Sequence, residues 1–114
     1  MNSHTDFCNY ITSMHSLYRQ NTEGGYVVQV IPPIRCADGF TFSVQASAHH
    51  YCHPRTNDGP WHAFEVGFPS TMEPMLMPYI DTDDPDDAVP TNCVYPGVPV
   101  DIVLLILDNH GGIA

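Results

Sequence analysis

The sequence predicts an α+β fold: an antiparallel sheet of three to four strands with an N-terminal and a C-terminal helix, in one domain over residues 1–114. Three observations predict it. Apolar residues near the N-terminus recur at helical spacing, those from Phe40 onward alternate with a period of two, and an unbroken apolar run lies near the C-terminus between helix-start and helix-stop residues. A chain of 114 residues suits one domain with a core of its own.

The first helix is expected over Ser3 to Arg19. Phe7, Tyr10, Ile11, Met14, Leu17 and Tyr18 form an apolar stripe, Ser3 suits the N-cap and Asp6 suits the positive end of the helix dipole. Gly24-Gly25 supplies a turn. Tyr26 to Ile31 is rich in β-branched residues and reads as a strand that Pro32-Pro33 ends, because proline cannot donate to a ladder. Ala37-Asp-Gly39 turns the chain into the clearest strand, in which Phe40, Phe42, Val44 and Ala46 face one way and Thr41, Ser43, Gln45 and Ser47 the other. A further strand is expected from Trp61 to Phe68, with His62, Phe64, Val66 and Phe68 on one face and Trp61, Ala63, Glu65 and Gly67 on the other. The proline-punctuated stretch Pro69 to Pro78 reads as a covering segment whose Met72, Met75, Leu76 and Met77 pack over the sheet. Thr91 to Val98 adds a short extended piece broken by Pro96-Gly97.

The C-terminal segment runs from Val98 to Gly112. Pro99 suits a first helical turn, Asp101 the dipole, and Gly111 or Gly112 the residue after the helix. A helix is expected, with a buried central strand the alternative because Ile102 to Leu107 are six consecutive apolar residues. A helix there hides one side against the sheet and leaves leucine or valine on the other, which predicts a homodimer.

Composition narrows function. Thirteen acidic residues stand against three arginines, with no lysine and a formal net charge of −10. Direct phosphate binding to nucleic acid needs the opposite sign, whereas a basic protein surface is complementary. Cys8, Cys36, Cys52 and Cys93 are scattered, and no secretory-type segment or apolar run of membrane-spanning length is found, so a cytoplasmic chain with reduced thiols is expected.

The loop from Ala48 to Pro60 carries most of the residues that do chemistry elsewhere. His49, His50, Cys52 and His53 are candidate metal ligands, with His62 across the loop, but neighbours on an extended chain point opposite ways and the spacing fits no standard zinc pattern. Cys52 beside His53 and Arg55 is a candidate nucleophile without an identifiable group to orient its base. Arg55 is expected to tie the loop to a carboxylate or to backbone carbonyls. Asp81-Thr-Asp-Asp-Pro-Asp-Asp87 holds five aspartates in seven residues and reads as a solvated loop. It lacks the glycine and terminal glutamate of a calcium-binding EF-hand loop, and no phosphate-binding glycine loop is present. No cofactor is predicted.

Gly39-Phe-Thr-Phe-Ser-Val-Gln-Ala-Ser47, His50-Tyr-Cys-His-Pro-Arg55, Glu65-Val-Gly-Phe-Pro-Ser70, Val98-Pro-Val-Asp-Ile-Val103 and His110-Gly-Gly-Ile113 together resemble a group of small proteins encoded by phages and other mobile elements. The resemblance covers residues 25–113 and carries no enzymatic signature. It implies a genomic setting where small acidic inhibitors of bacterial defence, including anti-CRISPR proteins, are common. The reading of the sequence is therefore a non-enzymatic inhibitor in the host cytoplasm. It binds a basic protein or ribonucleoprotein defence complex through Asp81, Asp83, Asp84, Asp86 and Asp87, with Asp58 and Glu65 near the long loop. A metal-binding protein or metal-dependent enzyme using His49, His50, Cys52 and His53 is the alternative, and an oligomeric structural protein a third reading.

Overall fold

A computed structural model describes residues 3–21 and 27–114. Helix α1 spans His4–Leu17, and the Ser3 hydroxyl caps it by accepting from the Asp6 N–H at 3.1 Å. The buried stripe is rotated from the expected one. Phe7, Cys8, Ile11 and His15 face the core, while Leu17 and Tyr18 are exposed. The helix also stops at Leu17 instead of Arg19, because the chain turns into a strand. That strand, β1 (Arg19–Asn21), pairs antiparallel with β2 (Val27–Gln29) in a separate two-stranded ribbon. The strand expected over Tyr26 to Ile31 is thus outside the main sheet; Gly24, Gly25 and Tyr26 lie outside the described residues.

The main sheet is a meander of four antiparallel strands: β3 (Ile34–Arg35), β4 (Thr41–Gln45), β5 (Ala63–Gly67) and β6 (Val94–Pro99), adjacent in that order. Its first strand follows Pro32-Pro33, where an edge position needs few donors. Gly39, at φ +95°, closes the β3–β4 hairpin, and the Asp38 carboxylate accepts from the Phe40 N–H at 2.9 Å. Between β5 and β6 the register shifts, Phe64 facing Val98 and Val66 facing Tyr95. Pro96 and Gly97 therefore oppose the single residue Glu65, a bulge in which Gly97 takes φ +63°.

Phe42 and Val44 are fully buried, in keeping with their alternating pattern, and Phe64, Val66, Tyr95 and Val98 are fully buried beside them. Phe7 of α1 meets Phe64 edge-on, ring centroids 5.1 Å apart. Inside β5 both faces are largely covered, Ala63 and Gly67 being buried along with Phe64 and Val66. Trp61 is buried, whereas His62 and Phe68, assigned to the same face as the buried Phe64, are exposed. Both lie beyond the ends of β5, where the pleat no longer sets side-chain direction.

Helix α2 spans Val100–Asn109, so the buried-strand alternative falls. Val103, Ile106 and Leu107 join the core, Ile102 and Leu104 are half-buried, and Leu105 is 50 % exposed. Burying each such side chain contributes about 1.5–3 kcal/mol. The Gly112 N–H reaches back to the Leu107 carbonyl at 2.8 Å and the Gly111 N–H to Asp108 at 3.2 Å, a glycine-terminated stop that leaves His110 at the C-cap. The tail then returns to β3, with Ala37 N–H on the Gly112 carbonyl and Ala114 N–H on the Arg35 carbonyl. In the covering segment Leu76 is fully buried, Met75 and Met77 are half-buried and Met72 is exposed.

Candidate functional site

The histidine loop folds on itself and divides its residues between inside and outside. His53 forms a bridge with Ala63, its N–H on the Ala63 carbonyl at 3.1 Å, so the loop's middle lies along the start of β5. Tyr51 donates its N–H to a Glu65 carboxylate oxygen at 3.2 Å and its carbonyl accepts from the Gly97 N–H at 2.9 Å, tying the loop to the bulge. Cys52 points inward and is fully buried, its thiol bonded to the carbonyls of Ser47 and Pro54. Burial pushes that thiol above its ordinary pKa, the reverse of what a nucleophile or thiolate ligand needs. His50 also turns in, its Nδ1 2.6 Å from the Ser47 hydroxyl, and burial lowers its pKa. Ser47 is fully buried, so this pair lacks an accessible nucleophile. His49 and His53 are exposed instead, and the His53 ring lies nearly parallel to that of His62, centroids 5.9 Å apart. The four candidate ligands His49, His50, Cys52 and His53 are thus not gathered. Among the described residues no group of three or more His, Cys, Asp or Glu side chains is arranged to hold a metal ion.

Among the described residues Arg55 takes neither the carboxylate nor the backbone carbonyls expected of it. Its guanidinium stands over the Tyr51 ring, 5.0 Å from the centroid, a cation–π contact that keeps both on the surface. Asp58 belongs to the far end of the loop, beside Gly59, Pro60 and α1. There His4, Cys8, Asn9 and Thr12 complete an open groove of about 610 Å³. Two of its lining residues are tied to the neighbouring backbone: the Trp61 carbonyl receives the Cys8 thiol at 3.1 Å and lies 2.6 Å from His4 Nε2.

The acidic loop has a defined shape. Short 3₁₀ turns at Met77–Tyr79 and Pro90–Asn92 flank it, and the Asp81 N–H bonds the Val94 carbonyl at 3.0 Å, pinning its entry to β6. Inside it, Asp86 N–H bonds the Asp84 carboxylate at 3.2 Å. Asp81, Asp83, Asp84, Asp86 and Asp87 are all exposed. Among the described residues the ion pairs are those of His110 alone, so no described cation neutralises these carboxylates. Of the other two residues grouped with them, Glu65 is half-buried and engaged by Tyr51, and Asp58 faces the α1 groove.

Sequence reasoning missed one cluster. His110 Nδ1 lies 2.6 Å from Asp38 Oδ2 and its Nε2 3.1 Å from Glu73 Oε1. The three come from the end of α2, the β3–β4 turn and the covering segment, 38, 73 and 110 in a chain where nothing local links them. It also missed Phe68, which holds φ +52° on the exposed rim just past β5 and donates its N–H to the Cys93 carbonyl at 3.0 Å. A bulky residue in that region is uncommon.

No protein-family model, curated protein or solved structure matches this chain. No helix among the described residues is long and apolar enough to cross a membrane.

Proposed function

We propose that the chain is a non-enzymatic binding protein whose acidic loop docks on a basic, nucleic-acid-handling surface, its carboxylates standing in for phosphates. The observation that carries this reading is the set of five exposed aspartates at 81–87, pinned to β6 and unmatched by any described cation. A net charge of −10 extends their field and favours fast encounter with a basic partner. The partner class is a protein or ribonucleoprotein complex of host defence, met in the host cytoplasm; the resemblance to mobile-element proteins is the support for that finer step. Burial of Cys52 and Ser47 supports a binding role over nucleophilic catalysis. The exposed Leu105 on α2, flanked by half-buried Ile102 and Leu104, supports assembly as a homodimer that presents two acidic loops.

The test is association with a partner captured from host lysate and then purified. Changing all five aspartates to asparagine lowers the association rate about tenfold or more, and raising salt slows the wild type in the same way. A partner that binds both proteins equally and ignores salt overturns the reading.

A further inference from the structure

The His110 cluster joins three separate pieces of the fold through one ring. The ring lies flat on Phe40, centroids 4.0 Å apart and planes 10° from parallel, which fixes the direction of both nitrogens. Asp38 Oδ2 faces Nδ1 and Glu73 Oε1 faces Nε2. A carboxylate oxygen only accepts, so both contacts are hydrogen bonds only while both ring nitrogens carry protons. A neutral ring has one N–H, and its other lone pair then confronts a carboxylate oxygen at hydrogen-bond distance. The Asp38 contact is the shorter, and Asp38 is further held by the Phe40 N–H. The 3.1 Å contact to Glu73 is therefore the one that gives way.

Glu73 is 7 % exposed and organises the start of the covering segment. Its second oxygen accepts from the Met75 N–H at 3.3 Å and its backbone carbonyl from the Leu76 N–H at 3.0 Å. A buried carboxylate facing a lone pair instead of a proton is unfavourable, and turning it toward solvent breaks the Met75 contact, leaving the backbone bond from Leu76 to hold the turn at this point. From here the chain passes through the Met77–Tyr79 turn directly into Asp81.

We propose that His110 is a proton-operated latch: doubly protonated, it fastens the segment around Glu73 to the β3–β4 turn and the end of α2, and losing one ring proton releases that segment. The charged groups that face the ring are Asp38 from the turn and Glu73 from the covering segment. His110 also sits at the C-terminal end of α2, its backbone N–H on the Ile106 and Leu107 carbonyls, and the negative end of a helix favours a cation. Cys36, also in the field of Asp38, has its thiol pushed up by burial and stays neutral. Burial of the ring opposes the charged form, but the two carboxylates outweigh it and raise the His110 pKa above its ordinary value. The raised value places release on the alkaline side of the usual histidine range of about 6.5. The latch does not depend on the acidic loop having a partner.

The experiment follows amide hydrogen exchange of the whole chain at pH 6 and pH 9, corrected for intrinsic rates, together with NMR titration of the His110 ring. The ring is expected to titrate above 6.5. Protection at Met75 and Leu76 is expected to fall about tenfold for each pKa unit of that elevation, while β4 and β5 keep theirs. In His110→Gln the same amides are expected to exchange fast at both pH values. Glu73→Gln, which keeps an acceptor without the charge, is expected to shrink the pH dependence and move the ring titration downward. Exchange at Met75 and Leu76 that is the same at pH 6 and pH 9 overturns the latch. So does a ring midpoint at or below 6.5, or a pH dependence that survives both substitutions. If His110→Gln does not fold, the wild-type titration and Glu73→Gln decide the matter alone.

Discussion

His15 stands edge-on to Trp61, ring centroids 5.5 Å apart and planes 75° from parallel, so the last turn of α1 is sealed against the end of the histidine loop by an imidazole. His15 is only 6 % exposed, and its buried Nε2 has no hydrogen-bond partner among the described residues. Burial, helped by His50, lowers its pKa against the opposing pull of the Ala46 backbone and Asp58.

That contact predicts an acid-labile helix. Because the folded pKa lies below the unfolded value of about 6.5, the neutral ring's contribution is whole above that pH and is lost as pH falls through the lowered folded value. His15→Phe keeps an edge-on ring without the orphaned nitrogen. Because phenylalanine also gives up the bond to the Ala46 backbone, stability to denaturant at pH 7 is expected to stay within about 1 kcal/mol of the wild type, and the decline toward pH 4.5 is expected to be shallower. The slope does not vanish, since His50 is shifted in the same direction. Identical slopes would show that His15 does not titrate between the two states.

Phe68 predicts a backbone effect that burial does not. Its ring is 57 % exposed while its backbone sits at φ +52°. A left-handed conformation costs about 1–2 kcal/mol for a residue with a Cβ, and glycine returns about 0.5–1 of that as unfolded-chain entropy. Phe68→Gly is therefore expected to leave stability unchanged or raise it by up to about 1 kcal/mol, and Phe68→Val to lower it. A loss of more than 1 kcal/mol in the glycine variant would mean that the ring packs against something in solution.

The interior position of Cys52 predicts thiol order. Alkylation under native conditions is expected at Cys93, which is partly exposed, and at Cys52 only after unfolding. Protein purified without an affinity tag is expected to contain well under one zinc per chain. About one zinc per chain, lost in Cys52→Ser, would require a loop conformation other than this one.

Helix α2 separates folding from assembly. Ile106→Ala removes a fully buried side chain and is expected to cost about 2–5 kcal/mol, with no dependence on protein concentration. Leu105→Asp is expected to leave the monomer's stability within about 0.5 kcal/mol yet convert a homodimer to a species near 12.7 kDa by sedimentation. A wild type that already sediments at that mass removes the dimer.

Sequence by itself determined the features written in local chemistry. The alternation from Phe40 to Ala46, the Ser3 cap, the turn at Asp38-Gly39, the glycines after α2 and the solvated aspartate run are each legible because neighbours a few residues apart set them. The α+β class followed from those pieces. Tertiary structure decided what depends on distant partners. It paired Ile34–Arg35 with β4, a two-residue strand too short for any periodicity to announce. It turned Trp61 inward and Phe68 outward at the ends of β5, where the pleat lapses, and rotated α1 so that Cys8 and His15 were buried in place of Leu17. It split the histidine loop by burial, sending Cys52 inside and His53 outside, although the two are adjacent in the chain. It also brought Asp38, Glu73 and His110 onto one ring, residues whose types are ordinary in isolation. Hydrogen bonds and burial act through space, so their outcome is fixed only once the chain has closed on itself.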